Sequence, residues 1–153
     1  MKWKSPEEYH QMVDETIKKH GCHITYVLAE KSDPAFCYST GLFHNFEIPE
    51  LFISALPQNL STEIVNSYQN RFSGGKEIRL YKKLTDIIDL FPVVLIEVER
   101  DKLKEYVLSS FRFYGEKKFK YLQCVYPDVK GNFPNDDGYD YDQDVLGDYR
   151  VDD

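Results

Sequence analysis

Phe36 to Leu56 reads FCYSTGLFHNFEIPELFISAL, and the rest of the chain can be arranged around it. Residues 35–42 are rich in aromatic and small β-tolerant side chains and predict a strand. Gly41 inside that run points to a bulge or a close backbone approach, because a side chain there would block either. His44-Asn45-Phe46-Glu47 reads as a polar turn, and Pro49 fixes φ ahead of a second strand over Glu50 to Leu56. The apolar run Leu51-Phe52-Ile53 predicts burial on both faces of that strand. Two strands joined by about seven residues make a hairpin with a long loop, a place where function often sits.

Outward from the hairpin, the same logic assigns the other elements. Ser5-Pro6-Glu7-Glu8 is a helix start, with Ser5 as N-cap, Pro6 in the first turn and Glu8 at the capping-box position. Tyr9, Met12, Val13, Thr16 and Ile17 share one face of that helix, and Gly21 stops it. Residues 22–29 predict a strand. After Pro57 a second helix runs to Phe72, where Gly74-Gly75 follow; a glycine pair after a helix gives no support to a phosphate cradle at a helix N-terminus. Residues 76–80 suggest a short strand, and Phe91 to Val98 (FPVVLIEV) is the clearest buried strand. Arg100 to Tyr114 predicts a third helix, with Leu103, Tyr106, Val107, Ser110 and Phe111 inward. Lys120 to Tyr126 is a last strand. The order α-β-β-β-α-β-β-α-β predicts an α+β fold, with an antiparallel or mixed sheet of about six strands and three helices packed against it.

With 153 residues, 12 Tyr and 10 Phe, the chain reads as one packed domain. No apolar run reaches the ~18 residues of a membrane span, and the N-terminus has no hydrophobic signal segment, which points to the cytoplasm. Cys22, Cys37 and Cys124 form no C-x-x-C pair and sit in apolar surroundings, as buried free thiols do. The net charge of −7 is unevenly placed. Residues 136–153 hold eight aspartates against Arg150, and residues 1–135 balance to zero. The expected organisation is therefore a globular body over 1–135 and an acidic, aromatic C-terminal tail over 136–153, partly docked on the body. Such a tail repels phosphate backbones and argues against nucleic acid.

Four motifs stand in order along the chain: Gly21-Cys22-His23-Ile24, Phe36-Cys37-Tyr38-Ser39-Thr40-Gly41-Leu42, Ile48-Pro49-Glu50-Leu51, and Leu122-Gln123 through Pro127-Asp128 and Gly131 to Phe133-Pro134. Together with Gln143-Asp144-Val145-Leu146-Gly147 they resemble a bacterial family known as domain of unknown function 4262. In that family's pattern Cys22 would be tryptophan, Ser39 threonine and Asn135 tryptophan. The resemblance implies a shared fold and brings no activity with it.

Tyr38, Thr40, Gly41, His44, Glu47, Glu50, Gln123, Tyr126 and Asp128 form the candidate pocket. A histidine near carboxylates is the minimum for acid–base work or for a single metal ion. No second histidine lies at ligand spacing, no nucleophile elbow surrounds Ser39, and the aspartates of 136–144 do not match a calcium loop, so neither metal nor cofactor is expected. Two functions follow. The first is a non-catalytic binding protein of the immunity or accessory type, whose Asp136, Asp137, Tyr139, Asp140, Tyr141, Asp142 and Asp144 meet a basic protein partner. The second is a small enzyme or ligand-binding domain with a polar pocket between residues 36–56 and 123–128, open to a small-molecule ligand.

Overall fold

A computed structural model describes residues 3–152. Helix α1 (Pro6–His20) starts where Ser5 Oγ accepts the Glu8 N–H at 3.1 Å, and it stops at Gly21, whose φ is +93°. Strand β1 (His23–Val27) pairs antiparallel with β2 (Phe36–Thr40), and β2 pairs antiparallel with β3 (Glu50–Ser54). Between β2 and β3 lies a five-residue helix, α2 (Leu42–Phe46), in place of the expected polar turn. Helix α3 (Gln58–Phe72) follows, then β4 (Lys83–Leu84), β5 (Val93–Val98), α4 (Leu108–Tyr114) and β6 (Tyr121–Val125).

The fold is α+β, with one mixed six-stranded sheet in the order β1-β2-β3-β6-β5-β4. The last strand enters the middle, parallel to β3 and antiparallel to β5. Side chains alternate between two covered faces, and β3 and β6 are buried at every position. On one face Cys37, Leu51, Ile53, Leu95, Leu122 and Cys124 pack beneath α3 through Ile64, Val65, Tyr68 and Phe72. On the other, Tyr38, Phe52, Val98 and Tyr121 pack beneath the α4 region through Leu103, Val107 and Tyr114. Helix α1 reaches β1 with Tyr9 edge-on to His23 and reaches α4 through the Arg112–Asp14 ion pair, 2.7 Å. Among the described residues no helix is long and apolar enough to cross a membrane.

Two further elements differ from the sequence reading. The third helix is broken into a 3-10 turn (Arg100–Leu103) and α4, because Val107 leaves helical geometry and Tyr38 Oη takes the Ser109 N–H at 3.1 Å, starting a new helix there. Residues 76–80 are not a strand. Ile78 and Leu80 pack on the first cluster from irregular chain, Tyr81 turns through φ +60°, and pairing starts only at Lys83.

The C-terminal segment finishes the second face. Val145 and Tyr149 join Phe133 over Val94, Ile96 and Val125, where no helix among the described residues packs in this cluster. Gln123, in the middle of β6, anchors this strap: its Nε2 donates to Asp144 O at 2.6 Å and its Oε1 accepts from Leu146 N at 2.8 Å. Farther on, Asp152 N donates to Tyr81 O at 2.8 Å and Arg150 lies 3.7 Å over the Tyr81 ring.

Candidate functional site

The carboxylate of Glu50 is the most deeply buried charge-bearing group among the described residues, with none of its surface exposed. It sits where β2 and β3 part. Their ladder ends at Tyr38↔Phe52, and one step on Ser39 Oγ takes the Leu51 N–H at 2.9 Å and donates to Glu50 Oε1 at 2.7 Å. Glu50 Oε2 accepts from Gly41 N at 2.8 Å and Phe43 N at 3.2 Å, and Oε1 accepts from Leu42 N at 3.2 Å. These are the orphan amides at the start of α2, where a negative charge is favoured. Tyr114 Oη adds a short bond to Oε2 and itself accepts the His44 N–H at 3.1 Å. Burial pushes the Glu50 pKa up; the bonds from Tyr114, Ser39, Gly41 and Phe43 pull it part of the way back.

Gly41 is the hinge of this arrangement. Its φ is +113°, and a Cβ there would stand 2.7 Å from Ile17 Cγ2, so only glycine lets α1 approach the start of α2 this closely. A second polar layer lies alongside. Thr40 Oγ1 and Ser110 Oγ are 2.7 Å apart, Ser110 Oγ is 2.7 Å from Tyr121 Oη, and Tyr121 Oη donates to Ser39 O at 2.6 Å.

Thus Tyr38, Thr40, Gly41 and Glu50 belong to one buried region, with every hydroxyl and carboxylate oxygen turned to an internal partner. His44 and Glu47 are exposed on α2 and just past it; the imidazole packs edge-on against Phe113 and contributes no ring hydrogen bond to the Glu50 cluster. Gln123, Tyr126 and Asp128 form a separate group that organises the C-terminal chain. Tyr126 Oη donates to Ser54 O at 2.5 Å. Asp128 Oδ1 accepts from Lys130 N and Asn132 N, and Oδ2 from Asp140 N, each at 2.9 Å. Partial desolvation works against the Asp128 charge, but the amides of Asn132, Asp140 and Lys130 outweigh it and hold its pKa below the ordinary value. Strap residues 143–146 lie against Gln123 and Tyr126, and Asp144 N also reaches Ser54 at the end of β3.

Of the tail residues, Asp136 Oδ2 accepts the Phe133 N–H, Tyr139 Oη accepts from Gln143, and Asp144 N donates to Ser54 Oγ. Tyr141 donates to Ala55 O yet keeps 37% of its surface exposed, and Asp137, Asp140 and Asp142 face solvent. Ser39, Ser110, Tyr114 and Tyr121 complete the Glu50 region, and the sequence reading does not place them in the pocket. The one signal that could have found them is the i, i+4 spacing of Ser110 and Tyr114 on a common helix face. All three cysteines are buried and their thiols are pushed up to about 12 by desolvation, away from nucleophilic reactivity.

The motif order now has its structural counterpart: Gly21 and Gly41 at the α1–α2 approach, Glu50 beneath α2, Gln123 under the strap. The chain belongs to a family described as a domain of unknown function (DUF4262), whose model matches residues 16–140. No curated protein and no solved structure matches it.

Proposed function

We propose that this chain is a non-catalytic binding protein, of the immunity or accessory type, that works in the cytoplasm and meets a basic protein partner. The observation that carries this reading is the saturation of Glu50: five internal donors occupy its carboxylate, which fits a clamp on the chain better than an acid or base awaiting substrate. The exposed Asp137, Asp140, Asp142 and Tyr141 supply the surface for the partner, and Asp136, Tyr139 and Asp144 hold that surface in shape. Two body acids extend it: after burial, the charges of Asp33 and Glu105, together with that of Asp144 in the tail, raise the pKa of Tyr106. Three free, buried thiols suit a reducing compartment. Electrostatic steering would make association faster at low salt.

The test is native mass spectrometry of the full chain recovered from its own host, beside a variant carrying Asp137→Asn, Asp140→Asn and Asp142→Asn. A polypeptide of basic composition bound to the wild-type chain and lost from the variant is the expected result. A partner retained equally by both would overturn the acidic surface. A co-purifying small molecule consumed on incubation would overturn the non-catalytic reading.

A further inference from the structure

Strand β4 is only two residues long, so among the described residues no strand pairs with the outer edge of β5 beyond Val94. There a groove of about 550 Å³ opens at the end of the sheet, between β5, the start of β6, Tyr81 and the strap. Its apolar lining includes Val98, Phe119 and Tyr121, all buried. Arg100, Lys102 and Lys120 line it as well and make no ion pair among the described residues, whereas Arg150 is paired with Asp152 at 2.9 Å.

We propose that this groove binds a small organic anion, an apolar or aromatic body carrying a carboxylate or phosphate group. This goes beyond the partner reading above and lies away from the acidic surface. Arg100 is well placed to hold such a group, since its guanidinium lies 5.2 Å over the Phe119 ring and the planar fork is oriented while its charge stays unpaired. A stacked guanidinium offers paired N–H donors to a carboxylate or phosphate, and two lysines add charge without a geometric demand. Glu97, Glu99 and Asp148 also line the groove; with Arg150 already paired to Asp152, its three unpaired cations face these three carboxylates. The carboxylates would disfavour a polyanion and leave room for one anionic group at a time. The opposite wall is held firm, because Tyr81 keeps φ +60° with its N–H on Leu95 O, its carbonyl on Asp152 N and its ring under Arg150.

The experiment is an amide-resolved NMR titration of the full chain with benzoate, phenyl phosphate and, as the uncharged control, benzyl alcohol. Saturable shifts confined to residues 97–102 and 119–122 are expected with at least one anion and absent with benzyl alcohol; whichever anion binds more tightly names the headgroup. In Arg100→Gln/Lys120→Gln the affinity should fall about tenfold or more, as loss of charge-assisted bonds requires. An unchanged melting temperature would show that the fold is intact. Equal binding of benzyl alcohol, shifts scattered over the surface, no saturable shift with either anion, or full affinity in the folded double variant would each overturn the proposal. Lys104→Gln, an exposed cation outside the groove, should bind as the wild type does.

Discussion

Ser39 Oγ donates to Glu50 Oε1 at 2.7 Å while accepting the Leu51 N–H at 2.9 Å, so one side chain stands in for the ladder where β2 leaves β3. The gap created there admits a carboxylate, and the carboxylate in turn starts α2.

Glu50→Gln places an NH₂ among groups that are themselves donors. We expect a loss of about 2–4 kcal/mol in urea unfolding, from several buried donors left unpaired. Tyr114→Phe, which removes one bond to Glu50 and the acceptor of His44 N, should cost about 1–3 kcal/mol. If both substitutions were neutral, the clamp role of Glu50 would be wrong.

Two carboxylates should shape the pH dependence in opposite directions. Asp128 has its folded-state pKa held down, so its contribution is present above about pH 4 and is lost as pH falls through the folded value. Asp128→Asn should therefore lose stability less steeply on acidification than wild type. Glu50 has its value raised, so its titration contributes fully below the ordinary glutamate range, and that contribution is lost as pH rises through the folded value. Urea midpoints measured across the acid range for wild type and Asp128→Asn check the first sign.

Gly41 and Gly75 both have positive φ, but only Gly41 is crowded: a methyl group added there would stand 2.7 Å from Ile17 Cγ2, whereas one added at Gly75 would meet nothing. Alanine at position 41 should cost about 2–4 kcal/mol, combining backbone strain with overpacking. Alanine at position 75 should cost about 1 kcal/mol from strain alone. Equal losses in thermal or urea melts would show that the approach of α1 is not tight.

A Cβ on Gly147 would run into Glu97 O, so Gly147→Ala should lift the strap from β5. Hydrogen exchange is the measurement. The amides of Leu146 and Asp152, bonded to Gln123 Oε1 and Tyr81 O, should lose protection while β6 keeps its own. Deleting residues 136–153 is a harsher change, since it bares Val94, Ile96 and Val125.

Thiol labelling gives a simple check on burial. Cys22, Cys37 and Cys124 should stay unlabelled by a disulfide reagent at neutral pH in the folded protein, and all three should react on unfolding. Rapid labelling of the folded chain would contradict the packing around them.

Local chemistry alone determined much of this molecule. Ser5, Pro6 and Gly21 bound α1, the Leu51-Phe52-Ile53 run marks a doubly buried strand, and residues 91–98 another. These signals are short-range, because caps and periodicity act within one turn or one strand. The class of fold and the motif order that leads to the family were legible for the same reason. What the tertiary structure decided was the company each polar residue keeps. Nothing near Glu50 in sequence announces that Tyr114, 64 residues away, will donate to it, or that Gln123 will hold Asp144 and Leu146. The break at Val107 also depends on a distant side chain, Tyr38, and the helix at Leu42–Phe46 on Glu50, which is near in sequence but reaches those amides only once β3 lies beneath them. Hydrogen bonds between remote residues form only once the sheet order is set, and that order, with β6 between β3 and β5, is a global balance of burial that no local stretch encodes.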